Sequence, residues 1–431
     1  MSHYAVIAPA LYSHFAALQA LAEALIARGH RVTFLHQAGA DSLLHDPHID
    51  FVAVDGQGSF VAPSAPVRSP RRASGLSIRR LIADMAATTD QLCRTLPPLL
   101  ERLDIDAVIA DQMEAAGGLV AEALQLPYVS VACALPINRE PGLPLPVMPF
   151  RYAQDEKAQR LYRTSESIHD YLMRPLGRVI AGHAERFGLP PRRSLHECLS
   201  PRLQISQAGA ELDFPRHARP ARYHAVGALR RPQADNGTPE AGLPAAWLDA
   251  DGRPRVFASL GTLQGHRYRL FDTLAGACRQ LGARLLIAHC GGLNAKRAAR
   301  LASREGCCVT DFVDQRTALA HAEAVITHGG LNTVLDAIAA GTPPLVLPIA
   351  FDQPGVAARV VYHGYGERAS RRAGRQRLAA TLERLLTMPT YRQRLAAAKP
   401  SFGGSQRAAE LIETRLSSST PEVARCASAG I

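Results

Sequence analysis

The sequence predicts an α/β protein made of two doubly wound domains of similar size. Short apolar strands alternate with amphipathic helices along most of the 431 residues, the pattern of parallel sheets with crossover helices. The alternation stops and restarts once, around a polar stretch rich in turn formers, RRPQADNGTPEAGLP at 230–244. At about 100–200 residues per domain, a chain with 47% hydrophobic residues can give each half its own core.

The N-terminal segment reads as a βαβ unit. A strand at Tyr4–Ala8 leads to a helix whose Leu18, Leu21, Ala22, Leu25 and Ile26 form one apolar face. Gly29 is its stop, and a second strand follows at Arg31–Leu35. Residues 57–80, with Arg68, Arg71, Arg72, Arg79 and Arg80 among Pro and Gly breaks, read as a mobile basic loop. DAVIAD at 106–111 is an apolar strand ending on a carboxylate, followed by a helix at Ala115–Leu124 and a buried strand at Pro127–Ala134. Leu135–Phe150 carries five prolines among apolar residues and reads either as a loop packed on its own domain or as the wall of an apolar binding site. The second set of strands lies in Val256–Gly261, Ala283–Gly292, Ala324–Gly330 and Pro344–Gln353. A last helix at Ser405–Leu416 precedes a tail expected to be disordered. The division expected is an N-terminal domain at 1–229, a linker at 230–253, a C-terminal domain at 254–400, a helix at 401–416 and the tail at 417–431.

Several function classes drop out. The eight cysteines show no CxxC, no zinc spacing with histidine and no ladder of short gaps, so a reduced, cytoplasmic chain without structural metal is expected. The opening MSHYAVIAP lacks the basic start of a secretory signal. The uncharged run Ala123–Asn138 is 16 residues, broken by Pro127 and Pro136, too short for a span of about 20. Net charge +11 invites an anionic partner, yet only three of the 49 basic residues are lysines. That bias argues against nucleic acid and leaves a loose attraction to anionic lipid. Pro9 to His14 follow the first strand where a dinucleotide site needs GxGxxG, which disfavours an oxidoreductase.

Ligands of open α/β sheets bind beyond the carboxyl ends of the strands. The polar residues immediately after apolar strands are His14, Asp111, Thr262, His289, His328 and Asp352. The strongest local signal is AVITHGGLNTVLDAIAAGTPPLVLPIAFDQPG at 324–355. Its helix buries Leu331, Val334, Leu335 and Ile338, while Asn332 and Asp336 share the other face. Gly329 and Gly330 let the backbone approach a ligand, and the helix N-terminus, ringed by His328, Asn332 and Thr333, suits a phosphate or diphosphate.

The stretch THGGLNT, then Asp336, GTPP and FDQ, resembles the donor-site signature of inverting nucleotide-sugar glycosyltransferases of the GT-B fold. Over nearly the full length the chain is similar to bacterial glucosyltransferases of carotenoid gene clusters, through its opening segment, ADQMEAAG, LPYVSVACALPINREPGLPLPVMPF and FASLGTLQGHRYRLF. The resemblance implies two Rossmann-like domains facing a central cleft, UDP-glucose as donor, no metal, and a lipophilic alcohol as acceptor. An antibiotic, flavonoid or sterol is the alternative acceptor, and a silent nucleotide-sugar binder is the reading from another class. His14 is implied as general base and Asp111 as its orienting carboxylate. Phe312 is implied to stack on uracil, with Val313 meeting the base through its backbone and Gln315 near the ribose. His328, Gly330, Asn332, Thr333 and Thr262 are implied around the diphosphate, Asp336 at the ribose hydroxyls, and Asp352 and Gln353 at the glucose. Peripheral contact at the inner face of a membrane is expected through the Arg68–Arg80 region and Leu143–Phe150.

Overall fold

The computed structural model describes residues 1–54, 75–231, 242–249, 251–398 and 403–417. Arg68, Arg71, Arg72, the middle of the expected linker and the tail from 418 lie outside the described residues.

The first sheet comprises β1 His3–Ile7, β2 Arg31–His36, β3 Asp50–Ala53, β4 Ala107–Asp111, β5 Tyr128–Ala132, β6 Leu203–Ser206 and β7 Tyr223–Ala225, in the order β3-β2-β1-β4-β5-β6-β7. The second comprises β8 Arg255–Ser259, β9 Arg284–Ala288, β10 Cys307–Thr310, β11 Ala324–Thr327, β12 Pro344–Val346 and β13 Glu367–Arg368, in the order β10-β9-β8-β11-β12-β13. Every pairing is parallel. The central strands are apolar on both faces because helices cover both: β1, β4 and β5 are buried at every residue. Chain order reverses beside β1 in one sheet and beside β8 in the other, so each sheet has a switch point there.

The first helix, Tyr12–Ile26, buries the expected Leu18, Leu21, Ala22 and Leu25. Two crossover helices that sequence periodicity did not reveal, Gly75–Arg102 and Glu156–Arg186, pack on each other behind the first sheet. Arg79 and Arg80 belong to the first of these rather than to a loop. The final helix, Gly404–Ser417, returns to the first sheet. Its Ala408, Ala409, Ile412 and Leu416 join the core around Leu18 and Leu25, and Glu413 takes Arg28 at 2.6 Å and His30 at 2.8 Å. The end of the expected linker is built into the second half: Trp247, on the short helix Ala245–Leu248, is fully buried against Phe257 and Leu286.

The proline-rich Leu135–Phe150 segment neither packs only on its own sheet nor offers Leu143 and Leu145 to lipid. Leu135 clusters with Leu331, Val334 and Val356, and Leu143 with Phe214 and Ala358. The segment is therefore a bearing between the halves, and a Cβ on Gly355 would come within 1.9 Å of the Pro146 carbonyl oxygen. A buried ion pair crosses the same interface, Arg359 Nε to Asp213 Oδ1 at 2.8 Å. No helix among the described residues is long and apolar enough to cross a membrane.

Candidate active site

At the first switch point, His14 sits in the opening turn of the helix after β1, and Asp111 ends β4. Both are buried, and Asp111 Oδ2 accepts from His14 Nδ1 at 2.7 Å. Asp111 Oδ1 accepts from the Met113 N–H at 2.8 Å, while Glu114 rather than Asp111 caps the following helix. A carboxylate only accepts, so Nδ1 carries the hydrogen and Nε2 is the nitrogen free to take a proton. Burial pulls the His14 pKa down. The Asp111 charge and hydrogen bond, with a smaller push from Asp352, outweigh it, and the net shift is upward.

Cys133 completes a trio with His14 and Asp111 whose donor atoms lie within 4.8 Å of one another, metal-ligand types that sequence spacing did not reveal. Burial, the Asp111 charge and its hydrogen bond to the thiol push the Cys133 pKa well up. The sulfur is therefore held as a neutral thiol leaning on the carboxylate.

At the second switch point β11 runs into His328, Gly329 and Gly330, and then the helix Leu331–Ala340. Gly329 has φ +89°, and a Cβ there would meet Val346 Cγ1 at 2.6 Å. The helix cap is Gly330, with no side chain closing it, so neither Asn332 nor Thr333 covers the terminus. The His328 ring is wedged between glycines: a Cβ on Gly261 or Gly330 would approach its Cε1 to 2.8 or 2.9 Å. Its Nδ1 is buried without a hydrogen-bond partner. Burial, only partly offset by a bond to the Ser259 backbone, lowers the pKa to about 4, so this imidazole is neutral.

The face carrying Asn332 and Asp336 is turned toward protein. Asn332 Nδ2 donates to the Ser13 carbonyl at 3.1 Å, one residue from His14, which ties the two switch points together. Thr333 Oγ1 donates to Gln315 Oε1 at 2.9 Å. Asp336 is buried, accepting from Gln315 Nε2 at 2.7 Å and from Arg230 Nε at 2.8 Å. Phe312, at 62% exposed, is a free ring rather than a core residue, with Val313 half-buried beside it. Thr262 is exposed on the loop after β8.

Asp352 precedes the helix Gln353–His363 and accepts from the Leu135 N–H across the cleft at 3.1 Å. Burial raises its pKa against the pull of that N–H and of His14. Gln353 Oε1 is committed to its own turn, accepting from the Ile349 and Ala350 N–H groups at 2.9 and 2.8 Å. His289 uses both nitrogens away from the constellation, Nε2 with Asp311 after β10 at 2.9 Å and Nδ1 with the Leu293 N–H of its own loop at 3.2 Å.

Besides Cys133, two more residues escaped sequence reasoning. Arg230, read as the start of a linker, also donates to the Asn332 carbonyl at 2.9 Å and to Gln207 at 3.1 Å. Its partners on the helix Leu331–Ala340 are more than a hundred positions away, so no local pattern marks it. Phe351 is 42% exposed with φ +55°, an uncommon backbone for an aromatic residue, beside Asp352. A bulky residue directly before the FDQ aspartate is the only signal that pointed there.

With this geometry in view, the comparisons with known proteins converge. Residues 199–397 match the family model described as UDP-glucoronosyl and UDP-glucosyl transferase. The chain is 50% identical over 427 residues to the zeaxanthin glucosyltransferase of Pantoea ananas, covering 98% of this chain and 97% of that protein. It is 51% identical over 422 residues to the zeaxanthin glucosyltransferase of Pseudescherichia vulneris, covering 97% and 99%. The chain belongs to the UDP-glucoronosyl and UDP-glucosyl transferase family. Among solved structures, the calicheamicin glycosyltransferase shares the fold at TM-score 0.73 and 18% identity, covering 98% of this chain and 100% of that one. The glycotransferase of kitacinnamycin does so at TM-score 0.72 and 20% identity, covering 96% and 99%. The architecture is the GT-B fold.

Proposed function

We propose that this enzyme transfers glucose from UDP-glucose to the hydroxyls of zeaxanthin, giving the monoglucoside and then the diglucoside, with inversion at the anomeric carbon. The carrying observation is the His14–Asp111 pair set across the cleft from a glycine-flanked, uncapped helix terminus. Half identity to two zeaxanthin glucosyltransferases supports the choice of acceptor.

In this reading residues 1–229 hold the acceptor and 254–400 the donor. His14 Nε2 takes the proton of the attacking hydroxyl, and Asp111 fixes the tautomer and steadies the imidazolium. The hydroxyl oxygen attacks the anomeric carbon from the face opposite the diphosphate, the bond to the diphosphate oxygen breaks, and a β-glucoside and UDP result. The N–H groups at the start of Leu331–Ala340, His328, Asn332, Thr333 and Thr262 meet the negative charge that grows on the leaving group, without metal. Phe312 stacks on the base beside Val313. Asp336, whose carboxylate has lone pairs beyond its two present bonds, accepts from the ribose next to Gln315. Asp352 accepts from glucose hydroxyls, while Gln353 serves through its amide NH2. The enzyme works in the cytoplasm and meets its apolar acceptor at the inner face of a membrane.

The test is purified protein with UDP-glucose and micelle-dispersed zeaxanthin, read by chromatography and mass. Products heavier by one and two hexoses are expected. UDP-glucose binding without product would overturn the acceptor and leave the donor site standing.

A further inference from the structure

We propose that the N-terminal ends of the helices Gly75–Arg102 and Glu156–Arg186 form the surface that seats the enzyme on an anionic lipid bilayer. The proposal rests on the reading that the acceptor is a membrane-dissolved alcohol, and it names the face that meets the membrane.

The argument starts from length. At about 1.5 Å per residue these helices of 28 and 31 residues run about 42 and 46 Å, against about 17 Å for a five-residue strand. The excess is largest at the N-terminal end of the second helix, whose Leu176, Ile180 and Ala184 enter the core while only Tyr162 and Ser165 are buried in the turns before them; on the first helix the buried run starts at Ile82, with Ile78 and Leu81 outside it. In an all-parallel sheet crossover helices begin at the carboxyl ends of the strands. The overhang is therefore on the side of the molecule where His14 and Asp111 lie.

Those turns expose what a soluble helix normally hides. Ile78 and Leu81 are 49% and 40% exposed, and Leu161, Ile168, Tyr171 and Leu172 are 46%, 55%, 65% and 40% exposed. On the second helix the four fall within one stripe at helical spacing. Arg160, Arg163, Arg174 and Arg178, all exposed, recur at 3, 11 and 4 on a neighbouring stripe, and Arg174 lies 5.1 Å over the Tyr171 ring. Arg79 and Arg80 stand beside Ile78. Glu156 is paired with Arg160 at 2.8 Å and Asp170 with Arg139, which leaves the stripe basic. Apolar side chains bordered by arginines are the composition of a helix that lies in a lipid interface. A symmetric contact with a second copy would instead press these arginine stripes against each other.

The surface is one segment away from the cleft. Phe150 stacks on Tyr162 of the overhanging helix at 6.1 Å, and Arg139 Nη1 donates to its Asp170 at 2.8 Å. Both come from the segment whose Leu135 N–H reaches Asp352.

The test compares wild type with Ile168→Glu/Leu172→Glu in flotation with phosphatidylglycerol vesicles carrying zeaxanthin, alongside turnover of vesicle-borne and micelle-dispersed zeaxanthin. Expected are flotation of the wild type, binding of the variant weakened by about tenfold or more, a parallel loss of vesicle turnover, and unchanged micelle turnover and melting temperature. Equal flotation of the two proteins, no flotation of the wild type, or a wild-type dimer in sedimentation that the substitutions dissociate would overturn it. Absence of micelle turnover in the wild type would instead strike the catalytic reading, with flotation still judging the surface.

Discussion

The two switch points are built on the same strand logic and carry opposite electrostatic states. Beside β1 a buried imidazole is paired with a carboxylate at 2.7 Å and its pKa is raised. Beside β11 burial dominates the imidazole of His328, and its pKa is lowered to about 4. A base must hold a proton reversibly during attack, which requires a counter-charge for the imidazolium. On the proposed reading the second site cradles a diphosphate, so it must present donors and a positive dipole end, and a carboxylate there would repel the ligand. The difference teaches that one fold, used twice, is specialised by whether an acid stands at the end of the neighbouring strand: Asp111 ends β4, whereas Ser259, at the corresponding end of β8, is neutral.

The sharpest way to break this contrast is to remove the acid. Asp111→Asn should lower kcat on the order of 10³-fold while leaving UDP-glucose affinity unchanged. In the wild type the rate should rise with pH as His14 loses its proton, with a midpoint above 6.5, and the variant should shift that midpoint down. A pH–rate profile with both proteins checks this; an unshifted midpoint contradicts it.

Next in size is the pair that holds the halves in register. Arg359→Ala removes one of the two buried guanidinium partners of Asp213, the other being Arg216 at 2.6 Å, and should cost about 1.5–3 kcal/mol in denaturant unfolding. The apolar replacement Arg359→Met, which keeps the packing of the stem and leaves Asp213 on Arg216, should recover part of that stability, yet raise KM for UDP-glucose, because the helix Gln353–His363 loses its charged anchor. An unchanged KM would show that the apolar bearing suffices.

A smaller effect belongs to the second switch point. An anion beside neutral His328 raises its pKa and draws in a proton, so UDP-glucose affinity should increase as pH falls from 8 toward 5, by up to about tenfold. Calorimetry across pH tests this against His328→Gln, which should be flat. A separate effect, on stability alone, concerns Glu114, whose buried carboxyl is pushed up to about 7 while accepting from Thr89. A raised carboxyl pKa means that the folded state holds its proton more tightly, so this group lowers stability as pH climbs from about 4.5 to 7. Glu114→Gln should flatten that decline in melting temperature; a parallel decline would contradict it.

The fold and most of the constellation were legible because both are local. Buried parallel strands are apolar runs, and the helix Leu331–Ala340 has its glycines, histidine and apolar face within a single stretch. His14 and Asp111, although 97 positions apart, could be placed because each directly follows or ends a strand flanking the switch point. Long-range pairings were not legible. Nothing near Arg230 signals Asp336, nothing near Leu143 signals the second domain, and Cys133 read as an ordinary core residue. Gly75–Arg102 escaped because Pro97 and Pro98 stand inside it, where a helix is not expected, and Glu156–Arg186 because its N-terminal half largely projects past the core and carries charged residues among its apolar ones.

The division of labour between the switch points is tested most directly by measuring UDP-glucose affinity and saturated turnover of zeaxanthin side by side for His14→Ala and His328→Ala. The account predicts that His14→Ala binds donor as the wild type does and loses turnover on the order of 10²–10⁴-fold, whereas His328→Ala loses donor affinity. Loss of donor binding in His14→Ala, or full donor affinity in His328→Ala, would contradict it.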